Sequence, residues 1–342
     1  MPMSARDKNL DRNNPPVIAI VGGGAAGLMA AYFASIQTGH PRVVLLEKNS
    51  GLGAKIIISG GGRCNVTTGL TDPREVLKNY PRGSRFLRTA MYSFPPQSTM
   101  DWFESQGVPL KTETDQRVFP ISNDGRQIVE ALEKALLANN VQIRLNCAVK
   151  NIEALTSGFR LKLDSTAAKS NQGNKSGNTA AKDSTLTADR VILTTGGSAY
   201  RHTGSSGDGY AFAEKLGHHL TTLAPSLAAL QTVEQWAHQL SGISFPDVEL
   251  ALQTSANRHR RRGPLLFTHR GISGPAVFAL SALAAHDLIT PQQPAHLQIN
   301  FFPDSNPEKL SAELNRQIDR HPNKKAANLL GLFVPHSLAE KI

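Results

Sequence analysis

The residues best placed to do chemistry lie early in the chain. Gly22, Gly24 and Gly27, with Ala25 and Ala26 between them, follow the apolar run Val17-Ile18-Ala19-Ile20-Val21. Glu47 stands 20 residues after Gly27, at the end of a second apolar run. This spacing is specific only in context: a strand before it, a helix opening from it, and an acid ending the next strand. Gly22 permits a tight turn, Gly24 lets backbone approach a pyrophosphate, and Gly27 lets helix pack on strand. The helix N-terminus offers N–H groups and a positive dipole to phosphates. Glu47 can accept hydrogen bonds from both hydroxyls of a ribose, and an acid there disfavours a 2′-phosphate. FAD or NAD therefore suits this site and NADP does not. The competing reading is a glycine turn with no ligand.

A second cluster separates FAD from NAD. It runs Gly51-Leu52-Gly53-Ala54-Lys55 and then Ser59-Gly60-Gly61-Gly62-Arg63-Cys64-Asn65. Three consecutive glycines bare the backbone to a flat ring or a phosphate. Lys55 and Arg63 could offset phosphate charge or the charge of a reduced flavin. A long cofactor threading past this loop would use it, whereas an NAD dehydrogenase needs no second cluster. The alternative is a surface loop. Lys48, Ala54, Gly61, Gly62, Cys64 and Asn65 thus join the candidate cofactor-binding residues. Cys64 has no CxxC partner, so it reads as a small packed residue beside the cofactor rather than a reactive thiol.

Further along, Val191-Ile192-Leu193-Thr194-Thr195-Gly196-Gly197 reads as a buried strand ending in small residues, which places Thr195 and Gly196 where ligands bind. In Gly207-Asp208-Gly209, Asp208 either caps the next helix or contacts ligand. Val149 could flank an adenine through its backbone. His269, in Phe267-Thr268-His269-Arg270-Gly271-Ile272-Ser273-Gly274-Pro275, is the general acid/base candidate, against a purely structural histidine. There, Ser273 is a helix-cap candidate and Pro275 suits a first turn. No metal-ligand spacing is visible, and Cys64 and Cys147 fit neither a disulfide framework nor a zinc site.

These groups need elements to hold them. The pattern predicts a strand at 17–21, a helix at 25–36 and a strand at 42–47. Helices follow near 83–92 and 97–106. Asp124 caps a helix to about 138, with Ile128, Leu132, Leu136 and Leu137 on one face. Val141–Leu145, Val149–Leu155 and Phe159–Leu163 read as antiparallel strands. Residues 1–14 read as a disordered tail and 164–186 as a flexible surface insertion. A strand at 190–195 and a helix at 207–216 come next. Beyond a boundary near 225, strands at 247–254, 264–267 and 296–302 precede helices at 307–320 and 323–332.

Composition narrows the function classes. The chain has 342 residues, a formal charge of +10 and 19% charged residues, so wholesale disorder is excluded and about two domains are expected. A pI near 9.7 invites nucleic acid or a membrane surface. The dense run Arg258-His259-Arg260-Arg261-Arg262, however, reads as a solvated loop, and Arg82, Arg85 and Arg88 as a solvated helix face. Uncharged Val17–Ile36 reads as strand, glycine turn and helix rather than a membrane span. Two cysteines point to a reduced, cytoplasmic setting.

Together, Gly22–Gly27, Glu47, Ser59–Asn65, Thr194–Gly197, Gly207–Gly209 and Phe267–Pro275 resemble the bacterial BaiN-like, or aminoacetone-oxidase-like, family of NAD(P)/FAD-dependent flavoproteins. The resemblance runs from about residue 15 to the end. It implies an α/β fold: a Rossmann-like FAD-binding domain of the two-dinucleotide-binding type (15–224), split by an inserted β-rich and helical domain (225–342). It also implies a C-terminal return to the FAD domain, and nothing in this sequence matches that segment. The expected function is an FAD-dependent oxidoreductase acting on a small molecule, with NAD(P)H as candidate donor. The alternatives are a nucleic-acid-associated flavoprotein and an inactive FAD-binding fragment. Oligomeric state is not readable.

Overall fold

The computed structural model describes residues 15–80, 82–165 and 184–342. The tail at 1–14 and most of the 164–186 insertion lie outside the described residues. The described chain forms two compact units that part between Thr221 and Thr222.

In chain order the first unit runs β1 (Val17–Val21), α1 (Ala25–Ser35), β2 (Arg42–Leu46), α2 (Ala54–Ile58), β3 (Thr67–Thr68), α3 (Pro73–Lys78), α4 (Ser84–Ser93) and α5 (Pro96–Ser105). It continues with β4 (Leu110–Thr112), β5 (Arg117–Pro120), α6 (Gly125–Ala138), β6 (Gln142–Arg144), β7 (Cys147–Ala154), β8 (Phe159–Ser165), β9 (Ser184–Ala188), β10 (Arg190–Leu193) and α7 (Asp208–Lys215). The central sheet is parallel, in the order β10-β1-β2-β6. Its middle strands are apolar on both faces, as a sheet covered on both sides requires. Ile20, Val43 and Leu45 pack with Leu28 of α1 and with Ile128, Leu132 and Leu136 of α6. Ala19, Val21, Val44 and Leu46 face the other way, onto Leu161, Leu163, Leu186 and Phe212. The antiparallel sheet β7-β8-β9 supplies most of that second cover.

Several expectations are corrected here. Val141–Leu145 is not antiparallel: β6 is the parallel edge strand, bonded to β2 from Val44↔Gln142 to Leu46↔Arg144. Residues 184–186 belong to β9 rather than to an insertion, because Leu186 enters the core opposite Leu161. α6 is capped by Asp124, which accepts from the Arg126 N–H at 2.9 Å, but Leu137 is 59% exposed while Leu136 is fully buried. A step of about 100° per residue rotates Leu137 off the buried face.

The second unit holds β11 (Leu230–Gln231), α8 (Gln235–Gln239), β12 (Ser244–Gln253), β13 (Arg258–Thr268), β14 (Gly271–Ser273), α9 (Pro275–Leu283), β15 (His296–Asn300), α10 (Pro307–Arg320), α11 (Ala326–Leu330) and α12 (His336–Ala339). Its sheet is antiparallel, in the order β11-β14-β13-β12-β15. Val248, Leu250, Leu265, Phe267, Val277, Leu280 and Leu338 form its core. The Arg258–Arg262 run is strand, not loop. Alternation along β13 brings two of its four arginines, Arg260 and Arg262, to acidic partners. Arg262 pairs with Asp247 at 2.6 Å and Asp304 at 2.5 Å, and Arg260 with Glu249 at 3.5 Å. His259, pointing to the other side, bonds Asp287 at 2.8 Å. The expected helix over 323–332 is confined to α11. Among the described residues no helix is long and apolar enough to cross a membrane.

Candidate functional site

The turn after β1 is built by close approach. Gly22 has φ +110°, and a Cβ there would lie 2.6 Å from the carbonyl oxygen of Thr194. Thr194 ties the end of β10 to this turn: its hydroxyl donates to Val21 O at 2.9 Å and Gly22 O at 3.0 Å. Gly27, inside α1, sits against Gly22, and a Cβ there would overlap the Gly22 carbonyl oxygen. Gly24 is different: a Cβ there would meet no atom within 4 Å. Gly24 is the N-cap of α1, without a side-chain cap and with no acid in the first turn. No hydrogen bond among the described residues uses the N–H groups of Gly24, Ala25 or Ala26. The helix therefore presents free donors and a positive dipole end to open space.

That space is a cavity of about 1070 Å³ at the carboxyl ends of β1, β2 and β10. It stands at the upper end of small-molecule sites. Gly22, Gly24, Ala25, Ala26, Glu47, Lys48, Ala54, Lys55, Cys64, Asn65, Val149, Thr195, Gly196 and Asp208 all line it. Glu47 is buried. Its carboxylate accepts from the Gly23 N–H at 2.6 Å and the Asn49 N–H at 2.8 Å. These two bonds fix its direction, and each oxygen keeps a second lone pair for a hydroxyl donor. Lys48 bonds the Asp208 carboxylate at 2.7 Å and the Ser206 hydroxyl. Burial pushes the Asp208 carboxyl up, but Lys48 and Ser206 outweigh it and hold the group below its usual range. Asp208 does not cap α7: Gly207 is the N-cap, without a side-chain bond.

Cys64 is buried against the cavity in a left-handed conformation, φ +62°. Gly60, Gly61 and Gly62 before it also have positive φ, while Arg63 between them and Cys64 is right-handed, φ −86°. Burial pushes the Cys64 thiol up, and its hydrogen bond to Ser59 only partly opposes that. It stands as a neutral thiol at pH 7.

The structure leaves other candidates outside the cavity lining. Gly27 lies beneath the turn. Gly61, Gly62 and Arg63 belong to the loop without lining the space. The Arg63 guanidinium pairs with Glu113 at 2.6 Å and stacks 3.8 Å over the Phe119 ring. His269 lies in the second unit, exposed in the turn between β13 and β14. Ser273 ends β14 and does not cap α9; Gly274 is the N-cap and Pro275 the first helical residue. Among the described residues no cluster of three His, Cys, Asp or Glu could hold a metal. Sequence reasoning missed the apolar wall formed by Met29, Phe33, Phe94, Phe103, Ile128 and Leu132. These residues carry the same signal as ordinary core.

Two family models match. Residues 16–279 match the HI0933-like protein Rossmann domain, and residues 224–342 the HI0933-like protein barrel and H2TH domain. The chain is 27% identical over 325 residues to the 3-dehydro-bile acid delta(4,6)-reductase of Clostridium scindens, covering 95% of this chain and 74% of that one. It is 29% identical over 327 residues to the ribosomal RNA dihydrouridine synthase of Escherichia coli, covering 94% and 72%. Among solved structures it is similar to the open conformation of a flavocytochrome c3 fumarate reductase, with TM-score 0.43 and 17% identity. That match covers 71% of this chain and about half, 51%, of the other.

Proposed function

The chain belongs to the HI0933-like family, and from that premise we propose that it is an FAD-dependent oxidoreductase whose cofactor site is the cavity of the first unit. The observation that carries the reading is the pairing of an uncapped helix N-terminus with a buried, oriented carboxylate across one open space. The residues present fit the group: the room beside Gly24 that a side chain would fill is left empty on the side where free N–H groups meet an anion. The N–H groups of Gly24, Ala25 and Ala26 would bind the pyrophosphate. Glu47 would accept the adenosine ribose hydroxyls, and Val149 would border the adenine. Ala54, Lys55, Cys64, Asn65, Thr195 and Gly196 would bound the ring end. Phe94, Phe103 and Leu132 give that end an apolar lining, which would strengthen polar contacts to a ligand that fills it. FAD, when bound, supplies hydride chemistry at flavin N5 between NAD(P)H or an organic substrate and a second substrate or O₂.

The relatives named above act on a bile acid and on ribosomal RNA, so family membership leaves the substrate open between a small molecule and RNA. The Arg258–Arg262 run gives the second class little support, because Arg260 and Arg262 are ion-paired with Glu249, Asp247 and Asp304. The test is direct. Purified full chain should be yellow, and stripped protein should recover flavin absorbance on titration with FAD. With flavin loaded, it should oxidise NADH or NADPH. Colourless protein that takes up no FAD would refute the reading.

A further inference from the structure

The first unit carries a surface that the cofactor site does not account for. From Val76 to Met100 the sequence holds Lys78, Arg82, Arg85 and Arg88 and no acidic residue. The same stretch holds Tyr80, Phe86, Tyr92 and Phe94. α4 sits at its centre and none of its residues is buried. At 100° per residue, Arg85, Arg88 and Tyr92 share one outward face, with Phe86 on its flank, while Leu87, Met91 and Phe94 point the other way. Phe86 is 89% exposed, Tyr92 51% and Tyr80 40%. A phenylalanine so open to water, between two arginines, is unusual for a residue type that is commonly buried.

The nearby acids are already committed. Asp72 pairs with Arg74 at 2.8 Å and Glu75 with Lys78 at 2.7 Å. Among the described residues, Arg85 and Arg88 have no ion-pair partner. Beneath this surface lies a second chamber of about 430 Å³, bounded by Tyr80, Met91, Thr67, Gln116 and Arg117. Asn65, Val66, Phe94 and Thr99 line both this chamber and the large cavity.

We propose that the outer face of α4, with Tyr80, is a docking surface for single-stranded RNA. Arginines bind the phosphates and the exposed rings stack on unpaired bases, the combination that single-strand binders use. The amide and hydroxyl groups of Asn65, Gln116, Thr67 and Thr99 suit the polar edges of an unstacked base and the 2′-hydroxyl. The face is too polar for a lipid surface: Thr89 and Ser93 sit between its two rings, where a membrane-surface helix needs an apolar stripe. The shared lining would bring a splayed base toward the large cavity; that last point rests on the flavin reading above.

The experiment is fluorescence anisotropy of a labelled oligouridine of about twelve nucleotides against the flavin-loaded full chain, between 50 and 200 mM salt. Wild type binds at the low-salt end. Arg85→Ala/Arg88→Ala lowers the log–log salt slope by about 1.4, the share of two phosphates on a single strand. Phe86→Ala weakens binding roughly tenfold at unchanged slope. Visible flavin absorbance and a thermal melt confirm that each variant is folded. No binding by wild type at 50 mM salt overturns the proposal. So does wild-type affinity in the double variant, or binding of phosphatidylserine vesicles in place of RNA. Colourless protein that still binds RNA through α4 upholds the surface and overturns the flavin reading instead.

Discussion

Replacing Gly24 with aspartate separates cofactor binding from folding. The position lies in ordinary extended backbone, φ −82°, and a Cβ meets nothing within 4 Å. Aspartate is a better N-cap than glycine by a few tenths of a kcal/mol. An acid at the start of α1 adds about 0.3–1 kcal/mol through the helix dipole. The cofactor-free protein should therefore gain about 0.5–1 kcal/mol, a Tm rise of a few degrees at most. The same carboxylate would stand about 5 Å from a bound phosphate, where repulsion is about 3 kcal/mol at an effective dielectric near 20. FAD affinity should fall about a hundredfold. Gly27→Ala is the contrast: its Cβ overlaps the Gly22 carbonyl oxygen, so fold and cofactor should be lost together. Calorimetry of the stripped protein and FAD titration by fluorescence quenching read both quantities. Wild-type FAD affinity in Gly24→Asp would place the phosphates somewhere other than the α1 N-terminus. A loss of 2 kcal/mol or more in stability would show that the space beside Gly24 is not open.

Two further outcomes follow from burial. The raised Cys64 thiol should resist iodoacetamide at pH 7 in folded protein. Because the fold favours the neutral thiol, raising the pH past the ordinary thiol range charges the unfolded chain first and lowers stability, with no such effect below that range. Urea unfolding of wild type and Cys64→Ala at pH 7 and pH 10 checks the sign, and rapid alkylation at pH 7 would contradict it. On α6, Leu136→Ala should cost about 2–5 kcal/mol while Leu137→Lys stays within about 0.5. Equal costs in urea unfolding would contradict the assigned faces.

What could be read from sequence has local causes. The glycine turn was legible because Gly22 and Gly27 are forced by backbone contacts that the spacing itself encodes. α6 was legible from its Asp124 cap and apolar period. What escaped depends on distant partners. A short apolar run such as Val141–Leu145 looks the same in either strand direction, and only bonding to β2 decides. The arginines of β13 looked like a loop because Asp247, Glu249 and Asp304 lie elsewhere in the chain. Arg63 looked free because Glu113 is fifty residues away. The basic helix α4 is the solvated face its sequence suggested, with none of its residues buried, but the 89% exposure of Phe86 could not be read from the sequence.

The parallel pairing of β1 has a consequence for how the protein is made. Its neighbour on one side, β2, follows within thirty residues, but Ile18 meets Arg190 of β10 only 172 residues later. At roughly 5–20 residues per second, a ribosome takes about 9–35 seconds to span that gap. During that interval one edge of the most apolar strand in the chain has no partner, and the Thr194 bonds that close the glycine turn do not yet exist. Nascent chains of this protein should therefore depend on chaperone cover over that stretch of synthesis. The cofactor site can be completed only after residue 213 has emerged, since Phe212 and Ala213 still line the cavity.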